Sequence, residues 1–235
     1  MRLCVTGTGS QGKTTFINDF LKEWPSYTTP KTTYRDELGD HSKKTTKDIQ
    51  WKILNCMVDE IIKHSGDENI IYDRGPIDNI AYTVWAYQAG TGDIDDAFVE
   101  KCLPLLRETN KFIDIIFYIP LTRVAVVEYD TDEFNESVKN GLTDETHRAE
   151  IDNILKALKY DCSNNSKSKF YDPEDKPAII DVFGDPRERI QICKLYLDVD
   201  GDLIDNVGVV TESDLREIET LKGQFGITDS QSKAY

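Results

Sequence analysis

Eight consecutive residues near the N-terminus, Gly7-Thr8-Gly9-Ser10-Gln11-Gly12-Lys13-Thr14, place two glycines, a lysine and a hydroxyl at the spacing G-x-x-x-x-G-K-S/T. Those residue types in that order suit a polyphosphate. Gly7 and Gly12 let the backbone turn tightly and approach an anion with no Cβ in the way. The amides of the loop and of the helix start at Thr15 then point at phosphate oxygens. Lys13 reaches the β- and γ-phosphates of a triphosphate such as ATP, and the Thr14 hydroxyl ligates Mg²⁺. An ordinary strand-to-helix turn could match the spacing by accident. The flanks argue against that, with apolar Leu3-Cys4-Val5 before the loop and Phe16, Ile17, Phe20 and Leu21 at helical spacing after it. The loop alone does not name a reaction, because kinases, GTPases and motor ATPases share it.

A second concentration of chemistry is Asp73-Arg74-Gly75-Pro76, at the end of the apolar run Asn69–Tyr72. In a parallel sheet, ligands bind beyond the carboxyl ends of the strands, so Asp73 and Arg74 are expected to face the same crevice as the glycine-rich loop. A carboxylate suits Mg²⁺ and its waters. A guanidinium suits phosphate, bidentately. The competing reading is a surface ion pair that follows a strand.

These residues need a scaffold, and the pattern supplies one. Strands are expected at Leu3–Val5, Asn69–Asp73, Ile113–Ile119 and Ala178–Phe183, with a short one at Ser26–Thr29. The run Ile113–Ile119 is nearly continuous in apolar and β-branched residues, as a parallel strand covered on both faces requires. Helices are expected at about 12–24, 46–64, 78–88, 93–110, 143–159 and from Arg187 to Leu197, with 30–47 as a loop. Strands alternating with helices give an α/β fold, a central parallel sheet of about five strands with helices on both faces. Residues 1–197 form the main domain, with an insertion at about 121–148. Residues 198–235 form a C-terminal extension with a hairpin turn at Asp200-Gly201 and a frayed tail from Asp229.

Taken together, the two motifs carry a resemblance. The stretch Asp73-Arg74-Gly75-Pro76-Ile77-Asp78-Asn79-Ile80-Ala81-Tyr82 resembles the D-R-x-x-x-S-x-x-A-Y signature of thymidylate kinases. It is also similar to the D-R-G-P segment of the wider P-loop kinase group that includes ribosylnicotinamide kinase domains. The resemblance covers roughly residues 1–195 and is loose outside these motifs. It implies a P-loop kinase fold, with Lys13 and Thr14 holding the donor phosphates and Mg²⁺. It makes Asp73 the support of the metal or its waters, and Arg74 the contact to the acceptor phosphate and the transferred phosphoryl. Asp78 and Tyr82 then fall on the acceptor side, although Asp78 stands where the family has serine. Thr29-Pro30-Lys31-Thr32-Thr33-Tyr34-Arg35 is similar in outline to the family's T-R-E-P stretch and offers Arg35 as a second acceptor ligand; the alternative is a solvated loop arginine. Thr146-His147-Arg148-Ala149-Glu150 is somewhat like the lid R-x-E of thymidylate kinases. It implies Arg148 as a catalytic cation, against the alternative of a helix-surface charge, with Arg123 a weaker candidate. The loop Phe183–Arg187 is expected to pack against adenine, and also to start a helix with Asp185 as cap and Pro186 at its first position.

Composition removes several function classes. The net charge of −15, from 28 basic and 43 acidic residues, opposes a nucleic-acid surface. No apolar run approaches a membrane span of ~18 residues, and a cytoplasmic location is the default expectation. The five cysteines form no C-x-x-C pair, so neither a zinc site nor a disulfide framework is expected. The partners expected are ATP and a small nucleotide or nucleoside, with a homodimer allowed. Three functions follow. The first is phosphoryl transfer from ATP to a nucleoside monophosphate, preferably a deoxynucleotide. The second is a kinase acting on a hydroxyl of a nucleoside or modified base, with Asp36, Glu37, Asp73 or Asp78 as the carboxylate near the acceptor. The third is a P-loop ATPase or nucleotide-binding switch. The base-reading N-K-x-D of GTPases is absent.

Overall fold

Four short segments are apolar along their length, as strands buried on both faces must be. The computed structural model, which describes residues 1–40, 44–121 and 145–204, pairs them into one sheet. They are β1 (Arg2–Thr6), β2 (Ile70–Asp73), β3 (Ile115–Tyr118) and β4 (Ala178–Asp181), all parallel, in the order β2-β1-β3-β4. Val5 is level with Asp73, and Thr6 with Tyr118. The carboxyl ends of β1, β2 and β3 therefore open onto one edge.

The expected fifth strand is reduced to a single parallel bridge, Thr28 to Ile70. Thr28 N–H donates to the Asn69 carbonyl, and Ile71 N–H donates to that of Thr28, both at 2.9 Å. Pro25 and Pro30 flank this segment, and proline has no N–H to donate to a ladder.

Alternate strand residues go to opposite faces. Leu3, Val5, Ile71, Ile115 and Phe117 face α1 (Lys13–Glu23) and α7 (Pro186–Cys193), through residues such as Phe16, Phe20 and Ile190. Cys4, Ile70, Tyr72, Ile116 and Tyr118 face α3 (Lys47–Lys63), α4 (Pro76–Gln88), α5 (Asp96–Asn110) and α6 (Glu145–Asn164). Helices thus cover both faces, as expected. The stretch read as loop at 30–47 contains a short helix, α2 (Tyr34–Leu38), started by a reciprocal cap between Thr33 and Asp36. Gly75 caps α4 with Pro76 behind it, and Asp185 caps α7 with Pro186 at its first position.

Contacts divide the chain into two compact units, Met1–Asp202 and Leu203–Tyr235. The sheet and its helices lie in the first. That unit ends in a tight turn in which the Asp198 carboxylate accepts from the amides of Asp200 and Asp202, both at 3.0 Å. Gly201 adopts φ 89°, and a Cβ there would meet the Tyr27 ring at 2.6 Å. Residues 122–144 of the expected insertion, with Arg123, and the extension beyond 204 lie outside the described residues. No helix among the described residues is long and apolar enough to cross a membrane.

Candidate active site

The phosphate loop runs from the end of β1 into α1. Gly7 takes φ 147°, and a Cβ there would sit 2.6 Å from the Ile119 carbonyl oxygen, so the crossing of loop and β3 admits only glycine. Gly12, at φ 70°, is the left-handed cap residue of α1, and no side chain caps that helix. Its first-turn amides are thus left for a ligand. Lys13 is buried, and its Nζ donates to the Gly7 carbonyl at 3.0 Å and to that of Thr8. Burial first, and then the Arg74 guanidinium, hold its pKa well below the usual lysine range.

Thr14 Oγ1 donates to Asp73 Oδ2 at 3.3 Å. The phosphate loop and the end of β2 therefore meet across one cleft. Asp73 Oδ1 is buried with no hydrogen-bond partner, as are the hydroxyls of Thr6 and Thr8. An unpartnered carboxylate oxygen beside a hydroxyl fits Mg²⁺, a hard cation that takes few protein oxygens and completes its shell with water and phosphate. No cluster of three or more metal-ligating side chains occurs among the described residues, which that mode of binding does not need.

Arg74 is not on the surface. It occupies the left-handed region at φ 75°, uncommon for a non-glycine residue. Its Nη1 donates to Asp78 Oδ1 at 2.8 Å and to the Gly7 carbonyl at 3.2 Å. The pair is buried, the side chains 6% and 2% exposed. Asp78 Oδ2 accepts from Gly75 N–H at 3.2 Å. Asp78 is thus turned inward, where it orients Arg74 and starts α4. The Arg74 guanidinium also lies over the Tyr82 ring, 5.6 Å from its centroid.

Beside Arg74 a pocket opens between the end of β2 and helices α2 and α3. Its walls include Tyr34 and Glu37 from α2, Cys56 and Glu60 from α3, and Asp73 and Arg74 themselves. Arg35 is exposed on α2, 5.3 Å from the Tyr34 ring centroid, and its charge is one of those that lower the Lys13 pKa. Arg148 is 5% exposed at the start of α6, which rules out the solvated helix-surface alternative. Its neighbour His147 packs on the rings of Tyr82 and Trp85. Thr15 is exposed on the first turn of α1. Cys56 and Glu60 carried no signal in the sequence. They lie one helical turn apart on α3 and meet the site only through tertiary packing.

Comparison with solved structures places the fold. Deoxyadenosine kinase from M. mycoides, with dCMP and dCDP bound, matches at TM-score 0.55 and 16% identity, over 82% of this chain and 96% of that one. Thymidylate kinase from Candida albicans matches at TM-score 0.54 and 15% identity, over 81% and 88%. NadR in complex with NR matches at TM-score 0.52 and 17% identity, over 83% of this chain and 50% of that one. The fold is that of the P-loop nucleoside and nucleotide kinases. No protein-family model matches the chain, and no curated protein matches it by sequence.

In this P-loop kinase fold the pocket carries its own reporter. Cys56 is half-buried, whereas Cys4, Cys102, Cys162 and Cys193 are buried. Burial, and then the hydrogen bond from its Sγ to Glu37 Oε2 at 3.2 Å, raise the Cys56 pKa to about 11. The thiolate is the reactive form, so alkylation should accelerate about tenfold per pH unit between roughly pH 8 and 10. Glu37→Gln should make the reaction faster at fixed pH, and any ligand that fills the pocket should block it. Mass-spectrometric mapping of iodoacetamide adducts measures all three effects. Labelling unchanged by Glu37→Gln would remove that carboxylate as a cause of the raised pKa.

Proposed function

We propose that the protein transfers the γ-phosphoryl group of Mg·ATP to a nucleoside monophosphate, with a deoxynucleotide preferred. The observation that carries the reading is the meeting of the two motifs, with Thr14 Oγ1 3.3 Å from Asp73 Oδ2 and Arg74 hydrogen-bonded to the loop at Gly7. The loop amides, Gly7 to Thr15, bind the donor triphosphate. Lys13 leaves its own loop carbonyls for the β- and γ-phosphates. Thr14 and Asp73 would hold Mg²⁺, which neutralises phosphate charge when bound.

Lys13, Arg74 and Arg35 lie close enough for both arginines to depress the lysine's pKa. An incoming acceptor phosphate relieves that repulsion. A monophosphate oxygen is already an anion, so no strong general base is needed, and positioning with charge neutralisation supplies the catalysis. Arg148 is assigned to the same task from the α6 side, and Tyr82 to support of Arg74. The kinases that share the fold, among them a deoxyadenosine kinase and a thymidylate kinase, support a nucleoside-type acceptor.

A second reading, transfer to a nucleoside hydroxyl, is favoured by one observation. Glu37 and Glu60 join Asp73 on the pocket wall, and among the described residues that line it Arg74 is the one arginine. A carboxylate near the acceptor assists deprotonation of a hydroxyl and repels a dianion. A panel of nucleosides, nucleoside monophosphates and oligonucleotides, assayed with labelled ATP, separates these readings. Phosphorylation of monophosphates is expected. Transfer to nucleosides with every monophosphate inert would establish the second reading. Slow hydrolysis with no acceptor used would leave an ATPase or switch.

A further inference from the structure

The phosphate loop has a second anchor that none of its motif residues provides. Arg189, on the first turns of α7, is 5% exposed. Its Nη1 donates to the Gln11 carbonyl at 2.8 Å, across 178 residues of sequence. Its Nε donates to the Gly184 carbonyl at 3.1 Å, in the loop that follows β4. A Cβ added at Gly12 would lie 3.2 Å from the same Nη1, so the guanidinium packs directly under the loop. Among the described residues no carboxylate lies within ion-pair distance of it. Burial pulls its pKa down, with Asp185 acting the other way.

A buried guanidinium that binds two carbonyls and no carboxylate adds little to stability for what its desolvation costs. Its geometry has a functional consequence. A trans peptide unit directs its C=O and N–H in opposite directions. Holding the Gln11 carbonyl against Arg189 therefore turns the Gly12 N–H to the side away from Arg189. We propose that Arg189 is a positioning residue for the nucleotide donor. It fixes the Gln11–Gly12 peptide so that its amide and a nearby fixed positive charge serve the phosphates, and it ties that peptide to the loop after β4. The role rests on the donor-site reading above.

Arg189→Met and Arg189→Lys, titrated calorimetrically with Mg·ATP and with magnesium tripolyphosphate, test it. Arg189→Met should weaken both ligands by about 10- to 100-fold, as the loss of charge-assisted hydrogen bonds predicts. The KM for the acceptor should be unchanged. Arg189→Lys, which keeps the charge but cannot reach both carbonyls as a fork, should fall between. Guanidinium ion at millimolar concentration should restore Mg·ATP affinity to Arg189→Ala. A lowered melting temperature with unaltered ligand affinity would overturn the role, and so would an equal loss of donor and acceptor. Should Arg189→Met fail to fold, Arg189→Lys carries the same comparison. Wild-type protein that takes up neither ligand would overturn the donor site itself and this role with it. Wild-type binding beside unaffected variants would overturn Arg189 alone.

Discussion

Lys13→Met is expected to lower phosphoryl transfer by about 10²–10³-fold or more, the scale of losing one preorganised electrostatic donor at a transferring group. The fold should remain. Without phosphate, the Lys13 ammonium is buried between the carbonyls of Gly7 and Thr8 and beside Arg74, an environment that penalises its charge. Methionine keeps the stem's volume and removes that charge. The pH dependence gives a second readout. The folded pKa of Lys13 is lowered, so between that value and the ordinary ~10.4 the unfolded chain binds more protons than the folded one. Wild-type stability without ligand should therefore rise with pH across that window, and Lys13→Met should flatten the rise. Denaturant titrations at several pH values, beside turnover with ATP, measure both. Retained turnover would remove Lys13 from the donor site.

Where chemistry was local in sequence, it could be read directly. The phosphate loop needs its glycines within a few residues of one another, and Pro186 marks a helix start through its own missing N–H; α4, by contrast, starts at Pro76, two residues before the expected 78. The meeting of Thr14 with Asp73 followed from a general property of parallel sheets, that strand ends share one edge. The pocket was not legible in the same way. Glu37 could be named as a carboxylate for a hydroxyl acceptor, but not placed on the pocket wall: it lies on a five-residue helix whose only signal is the Thr33–Asp36 cap, inside a stretch dominated by polar residues. Cys56 and Glu60 reach the site because α3 packs against β2, a contact that helical periodicity does not specify. Asp78 shows the opposite limit. Its place in the signature suggested the acceptor, but one helical turn brings it back onto Arg74, and its two oxygens are taken by that side chain and by Gly75 N–H. Arg189 has no motif at all, since the partner that ties it to the phosphate loop, Gln11, lies 178 residues away.

Arg74→Ala should cost both function and stability, and the two losses can be separated. Breaking the Arg74–Asp78 pair leaves a carboxylate that is 2% exposed without its cation, a cost of about 3–5 kcal/mol. Arg74→Ala with Asp78→Asn should recover much of that stability, because the amide keeps an acceptor for Gly75 N–H and carries no charge. It should recover none of the transfer, since the cation that would face the acceptor is still missing. The backbone offers a further control. Arg74 holds φ 75°, a conformation that costs a residue with a Cβ roughly 1–2 kcal/mol and glycine almost nothing. Arg74→Gly should therefore be the more stable of the two truncations by about 1 kcal/mol, while losing acceptor use to the same degree. Thermal melts of the four proteins, with KM for acceptor and for ATP measured separately, would show this split. If the double variant regained activity along with stability, Arg74 would be a structural partner of Asp78 and the acceptor phosphate would have to be held by Arg35 or Arg148.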